Sequence, residues 1–201
     1  MKVISVSVGV PREVEWHGRT VSTGIFKEPV SGRVRLRSLN LDGDAQADLS
    51  VHGGREKAVY VYPVEHYSYW AEKLPGARLP HGSFGENLTV QGLSESAVNI
   101  GDRFQIGSAV VVVTQPRMPC YKLTIKFGRA DMVKLFQQSA RSGFYLAVLQ
   151  EGEIGAGDSI HLLHRDPRNI TVDDINDLYF SQPDNRESLM RRALEIEALP
   201  E

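Results

Sequence analysis

The sequence has little of what marks secreted, membrane or nucleic-acid-binding proteins. Its single cysteine, Cys120, cannot form an intramolecular disulfide, which removes the usual covalent staple of a secreted domain. The longest apolar run, at 109–113, is far too short to cross a bilayer, and the N-terminal segment lacks the continuous apolar core of a signal peptide. A net charge of -2 provides no charged surface for a membrane or a nucleic acid. We therefore expect a cytoplasmic protein without membrane or nucleic-acid partners.

The common catalytic and metal-binding motifs are also missing. There is no P-loop, GxGxxG, HExxH or GxSxG pattern, so the usual nucleotide-binding and hydrolase classes have no support. His161 and His164 lie close together, but no third ligand stands at a suitable spacing and there is no CxxC pair. A structural zinc site is therefore not predicted.

What is present indicates a mainly β protein. The chain has 201 residues, 41% of them hydrophobic and 24% charged, which is enough for one well-buried domain with a small appendage. Strand-like segments alternate with glycine-rich turns, and few helices are readable. The strand candidates are 33–38, 57–62, 109–115, 144–150 and 159–164, and helices are predicted from Pro63 and from a cap at Asp131. This pattern predicts a barrel or a curled sheet.

The character of the sequence changes from strand to helix at 165–169. Thr171 and Asp174 have the spacing of a capping box, and an apolar stripe follows at 189–196. Helices this short are not stable alone, so we expect them to pack on the rest of the protein. We therefore divide the chain into a β domain, 1–164, and a small C-terminal helical segment, 165–201.

Cys120 lies in the motif QPRMPCYKL, directly after a predicted buried strand. Pro116 and Pro119 stiffen its approach. If a helix begins directly after the cysteine, its N-terminus would favour the thiolate, as would Arg117 and Lys122 nearby. Such a thiolate could act as a nucleophile, a redox centre or a soft metal ligand. A buried cysteine without chemistry explains the same context about equally well.

Three other residues stand out less sharply. His52 precedes Gly53 and Gly54, whose backbone N–H groups could bind an anion, although on spacing alone a plain turn histidine is the better explanation. Lys27 could be an ordinary solvated lysine. Asn87 could recognise the edge of a heterocycle or hydrogen-bond within its own loop.

Taken together, these segments resemble MOSC-domain proteins of the YiiM type. The similarity runs in order from about 3 to 164, and this order is far more specific than any one motif. The segments that carry it are GIFKEPV (24–30), LDGDAQAD (41–48), VHGG (51–54), KAVY (57–60), FGENL (84–88), QPRMPCYKL (115–123), RSGFY (141–145) and GAGD (155–158).

The resemblance implies a closed β-barrel, similar to the pyruvate-kinase barrel, that binds a molybdenum cofactor (Mo-molybdopterin). The cysteine of the family falls on Cys120, which would supply a thiolate to the metal. Lys27, His52 and Arg117 would surround the cofactor as catalytic and binding residues, neutralising its phosphate, contacting oxygen ligands of the metal or supplying protons. The further cofactor contacts implied are Gly53, Gly54, Asn87 and Gln115.

The resemblance also implies an oxidoreductase that reduces N-hydroxylated compounds, such as 6-hydroxylaminopurine, in detoxification. Its partners would be that small substrate and an external electron-donor protein, while a homodimer is left open. An alternative from another class is a carrier of cofactor or sulfur that uses Cys120 without turnover. A third hypothesis, a helix-turn-helix nucleic-acid reader, is opposed by the acidic face at 171–177. The tail resembles the three-helix segment of the family, although only two helices are readable.

Overall fold

The computed structural model describes residues 1–47, 53–181 and 183–200. The α-helices are α1 (His66–Lys73), α2 (Tyr121–Phe127), α3 (Met132–Ser139), α4 (Val172–Phe180) and α5 (Arg186–Ala193), and a 3-10 turn spans Arg55–Lys57. The strands are β1 (Lys2–Val8), β2 (Arg12–Trp16), β3 (Arg19–Thr23), β4 (Glu28–Pro29), β5 (Arg33–Leu36), β6 (Val59–Pro63), β7 (Leu88–Gln91), β8 (Arg103–Ile106), β9 (Ala109–Pro116), β10 (Phe144–Gln150), β11 (Gly152–Gly155) and β12 (Ile160–His164).

The largest sheet is open and mixed, so the predicted closed β-barrel is wrong. Its eight strands run in the order β12-β8-β9-β10-β6-β7-β1-β4, antiparallel throughout except for the parallel pair β6–β7. Within the described residues its two edge strands do not pair with each other, and β5–β11 and β2–β3 form separate two-stranded sheets. One reason that the sheet stays open is the shortness of its edge strand β4. This strand has only two residues and ends at Pro29, which has no N–H group to continue a hydrogen-bonded ladder.

The long central strands follow from their composition. β9 carries the run of valines at 110–113, and its neighbours β8 and β10 cover it on both edges. Continuous apolar runs suit strands that are buried on both faces. The interior-facing side chains of β1, β6, β7, β9 and β10 form the main hydrophobic core.

One predicted helix start is wrong and the other is confirmed without its predicted cap. Pro63 is the last residue of β6 rather than the first of a helix, because Val64 N still donates to Val90 O (2.8 Å), and α1 begins at His66. α3 does begin after Asp131, but that carboxylate makes no capping hydrogen bond. It instead binds the guanidinium of Arg129 at 2.7 and 3.0 Å.

A second core, made largely of aromatic rings, joins α1, α2 and α3 to the sheet. Trp70 Nε1 donates to Tyr62 Oη (2.6 Å), which satisfies a buried indole, and the Trp70 and Phe136 rings stack with centroids 5.6 Å apart. Phe84 packs on Tyr62 at 4.7 Å. Rigid rings of this size fix α1 and α3 relative to β6.

The C-terminal helices pack against the sheet, as expected for helices too short to be stable alone. Val172, Ile175 and Leu189 are buried in the main core. The capping box is confirmed, since Thr171 Oγ1 accepts from Asp174 N (3.0 Å) and the Asp174 carboxylate accepts from Thr171 N (2.8 Å). Among the described residues, no helix is long and apolar enough to span a membrane.

Candidate functional site

Cys120 occupies the residue before α2, four residues after the end of β9. Its backbone is extended (φ -132°, ψ 170°), and its carbonyl accepts from Leu123 N (3.0 Å) in the first turn of the helix. The predicted place of the cysteine at the start of a helix is therefore confirmed. Its side chain is half-buried and lines a cleft.

The cleft brings together four of the residues predicted from the sequence. Cys120, Lys27, Asn87 and Arg117 all line it, although they come from separate parts of the chain. Further lining residues that the sequence did not single out as site residues are Asp44, Lys57, Tyr60, Lys122 and Tyr145. The structure thus places one half-buried thiol beside several charged side chains.

Lys27 is not a solvated lysine. Its side chain is 9% exposed and forms an ion pair with Asp44, whose side chain is 4% exposed. Asp44 also accepts from Gly9 N (2.9 Å) and Asn87 Nδ2 (3.0 Å), so the carboxylate is held from three directions. Because the ammonium is neutralised inside the wall, Lys27 adds little net charge to the cleft.

The carboxamide of Asn87 is engaged within the protein. Its Oδ1 accepts from Tyr60 N (3.0 Å), and its Nδ2 donates to Ser7 O (3.3 Å) and to Asp44 Oδ2 (3.0 Å). The side chain thereby ties β1 and β6 to the carboxylate that holds Lys27. These partners lie in other segments, so the side chain does not bond within its own loop as one alternative held. A cofactor contact by Asn87 stays a prediction.

Arg117 is a buried cation with an unmet hydrogen-bonding requirement. Its guanidinium lies 5.1 Å from the ring centroid of Tyr60 and 5.2 Å from that of Phe136. Burial alone would lower the Arg117 pKa, but attraction to Tyr60, Tyr145 and Cys120 leaves it raised overall, so the group stays charged. Its Nη1 is buried and has no hydrogen-bond partner among the described residues.

Lys122 is a cleft residue that the sequence analysis noted only as a cation near Cys120. It is 7% exposed, it lines the cleft, and in the described part of the chain it makes no hydrogen bond or ion pair. An ammonium that belongs to a cleft-lining residue and has no partner among the described residues suits a bound anion. The sequence signal was only its closeness to Cys120, because a lysine in a helix is normally exposed.

The remaining predicted residues lie elsewhere. Gly53 and Gln115 line a neighbouring cavity, and the buried Gln115 Nε2 atom has no hydrogen-bond partner in the described part of the chain. Gly54 (φ 104°) donates its N–H to Gln46 Oε1 (3.0 Å), and Gln46 lines the cleft. His52 lies outside the described residues.

The charges of the cleft favour anions. Among its described lining residues, Lys27 is neutralised by Asp44, and Arg117 and Lys122 add positive charge. This excess of positive charge favours a thiolate at Cys120 and an anionic ligand beside it. No group of three or more His, Cys, Asp or Glu side chains within the described ranges could hold a metal ion.

Comparison with known sequences identifies the family. The profile of the MOSC domain matches residues 48–161, and that of the YiiM-like, 3-alpha helix domain matches residues 170–201. The chain belongs to the MOSC family. It is 45% identical to "Uncharacterized protein YflK" of Bacillus subtilis over 94% of this chain and 85% of that one. It is 41% identical to "Protein YiiM" of Escherichia coli over 71% of this chain and 65% of that one.

One relative of the MOSC chain carries a functional name. A "Reductase" of Gibberella moniliformis is 37% identical over 74% of this chain, which spans only 27% of that longer protein. Solved structures agree with the family. YiiM from Geobacillus stearothermophilus matches with a TM-score of 0.81 and 35% identity, covering 99% of this chain and 93% of that one. YiiM from Escherichia coli matches with a TM-score of 0.79 and 30% identity, covering 100% and 88%.

Proposed function

We propose that this MOSC protein is a molybdenum-cofactor-dependent reductase of N-hydroxylated compounds such as 6-hydroxylaminopurine. MOSC domains are in general associated with the molybdenum cofactor, and one relative is named a reductase. The observation that carries the proposal is the half-buried Cys120 in a cleft that is also lined by Lys122, which has no partner among the described residues. A soft thiolate suits molybdenum, and the surrounding cations suit an anionic cofactor.

The residues present fit such a group. The buried Arg117 Nη1 and the Lys122 ammonium both lack partners within the described residues, as expected of groups that await an anionic ligand. The cleft encloses about 100 Å³, so a molybdopterin would occupy it only in part. When bound, the cofactor would supply two-electron redox chemistry at the metal.

The side chains of the protein would bind the cofactor, orient the substrate and supply protons. Cys120 Sγ would hold the metal, while Lys122 and Arg117 would neutralise anionic atoms of the cofactor. Asp44 keeps the Lys27 Nζ in place as a candidate proton source. The overall reaction breaks the N–O bond of R–NH–OH, consumes two electrons and two protons, and releases R–NH2 and water. An external protein would have to donate the electrons.

The test compares wild type with Cys120→Ala, both purified from a host that makes the cofactor. We expect molybdenum in the wild type and reduction of 6-hydroxylaminopurine with an artificial electron donor, and loss of both in the variant. Tyr121→Phe is the control, because Tyr121 is exposed beside the cysteine and does not line the cleft. Activity that survives in Cys120→Ala would refute the mechanism, and molybdenum without turnover in the wild type would favour a carrier.

A further inference from the structure

The β2–β3 hairpin is a two-stranded sheet of its own, separate from the large sheet. Its turn consists of His17 and Gly18, whose positive φ angles (50° and 71°) are those that a type I′ hairpin turn requires. Trp16 and Arg19 pair across this turn. In the described part of the chain, both outer edges of the hairpin are therefore without a neighbouring strand.

The backbone of β3 offers hydrogen bonds at its outer edge. Because the two residues that flank a two-residue β-turn are hydrogen-bonded to each other, Arg19 and every second residue after it direct their N–H and C=O groups toward β2. Thr20 and Ser22 direct theirs away from β2, and these groups have no backbone partner among the described residues. The edge of β3 thus presents two donors and two acceptors.

The side chains protect one edge of the hairpin and leave the other open. β2 follows Pro11, and the residues that direct their backbone groups outward on this strand are Glu13 and Glu15. Proline and charged residues are the usual means by which an exposed edge strand avoids pairing with another chain. β3 reads Arg-Thr-Val-Ser-Thr, so its last four residues are uncharged and include the strand-forming types Thr and Val. The edge of β3 is therefore suited to pairing.

An antiparallel second copy of β3 complements this edge. When Val21 of each copy lies on a two-fold axis, Thr20 of one copy faces the partner's Ser22, and the outward N–H and C=O groups of both copies are all used. No like charges then face each other. The same arrangement about the middle of β2 would oppose Glu13 to the partner's Glu15 twice, which is repulsive.

The same pairing brings together apolar side chains that one copy leaves half-buried. Val14, Trp16 and Val21 share one face of the hairpin, and within the described residues neither hydrophobic core includes them. Because Val14 pairs with Val21, two copies would place four valines in one row across a four-stranded sheet. A sheet of three or more strands with an apolar face is more stable than a lone hairpin.

We propose that β3 pairs with β3 of a second copy of this chain, in the antiparallel register centred on Val21, and that the dimer places the partner's Arg19 at the edge of the Cys120 cleft. In this register the partner's Arg19 stands opposite Thr23, which lines the cleft. Opposite residues of antiparallel strands are about 5 Å apart, whereas Arg19 of the same copy is about 14 Å from Thr23 along the strand. The dimer thus adds a positive charge to a cleft whose charges favour anions, and it does not depend on the proposed function.

The first test is the mass of the full chain in solution, measured by analytical ultracentrifugation from about 1 to about 100 µM. Wild type is expected to reach the mass of a dimer. Ser22→Pro is expected to stay monomeric, because it removes an N–H that the dimer needs and none that the hairpin uses. Glu13→Pro is the matched control, since Glu13 pairs with Ser22 and changes the other edge, and it should remain dimeric. A monomeric wild type, or a dimer that persists in Ser22→Pro, would overturn the proposal.

Val21→Cys tests the register without a proline. Two copies of this residue would face each other at a Cα separation that permits a disulfide, so mild oxidation should give a covalent dimer that a reductant separates. Val14→Cys is the control, because the pairing keeps the two copies of Val14 far apart, and it also reports any cross-linking through Cys120. Equal cross-linking of the two variants, or none in Val21→Cys, would contradict the register.

The position of Arg19 is tested in protein from a host that does not make the cofactor. At one pH, the ratio of the rates at which anionic iodoacetate and neutral iodoacetamide alkylate Cys120 reports the positive potential at the thiol. Arg19→Ala is expected to remain dimeric and to lower this ratio about twofold, the effect of one charge about 10 Å away in water. Ser22→Pro should lower it equally, and an unchanged ratio in both would refute the placement of Arg19. A dimer without reductase activity would refute only the proposed function.

Discussion

Replacing Asn87 by alanine should destabilise the protein strongly, although its side chain is part of a cleft wall. The carboxamide makes hydrogen bonds to Tyr60 N, Ser7 O and the Asp44 carboxylate. Net contributions are about 1 kcal/mol for a neutral hydrogen bond and about 2 kcal/mol for one to a charged group. Because Asn87 is only 4% exposed, water cannot freely replace these partners. We therefore expect a loss of about 3 to 4 kcal/mol.

Urea unfolding followed by circular dichroism measures this loss. At a slope of about 2 kcal/mol/M, the midpoint should fall by about 1.5 to 2 M with the slope unchanged. Asn185→Ala is the matched control, because Asn185 is exposed and its side chain makes no capping bond. We expect its effect to stay below about 0.5 kcal/mol.

The two explanations of Asn87 give different results. If the residue ties β1 and β6 to Asp44, stability falls whether or not a cofactor is bound. A midpoint shift no larger than that of Asn185→Ala would refute the reasoning. Loss of molybdenum without loss of stability would show that the side chain contacts the cofactor, as the family resemblance implies.

Two further predictions concern buried lysines. Asp44→Asn should lower the free energy of unfolding by about 3 kcal/mol, because it leaves the Lys27 ammonium without its counter-charge. In a double-mutant cycle measured by urea unfolding, adding Lys27→Met should recover part of this loss. Additive effects of the two substitutions would contradict the coupling. Burial lowers the pKa of Lys126 from 10.5 to about 8. Between these two pH values the unfolded state binds more protons than the folded state, so the contribution of Lys126 to the free energy of unfolding should rise with pH. Lys126→Met should lack that rise, and equal pH dependence in both proteins would refute it.

Secondary-structure elements could be predicted where residues close in sequence determine them. β9 follows from its own valine run, and the start of α4 follows from Thr171 and Asp174, which cap each other within one turn. Closure of the sheet depends on long-range pairing instead. The alternation of strands and turns could not reveal that β4 would end after two residues at Pro29.

The cleft was predictable only in part, for a related reason. Cys120 and Arg117 lie in one distinctive motif, so their neighbourhood could be found from the sequence. Asp44 lies in a turn-rich segment that reads as solvated, and Lys122 reads as an exposed helix residue. Their burial arises only when distant elements pack together, so residue type alone would predict exposed side chains for both.

An arginine at 117 does what a lysine there could not. A flat guanidinium can lie between the rings of Tyr60 and Phe136 while its fork of N–H donors points in several directions. An ammonium is a single point charge at the end of a flexible chain and would have to be ordered when a ligand binds. Because the guanidinium is rigid and borders the Cys120 cleft, an anion bound there would meet N–H donors that are already oriented.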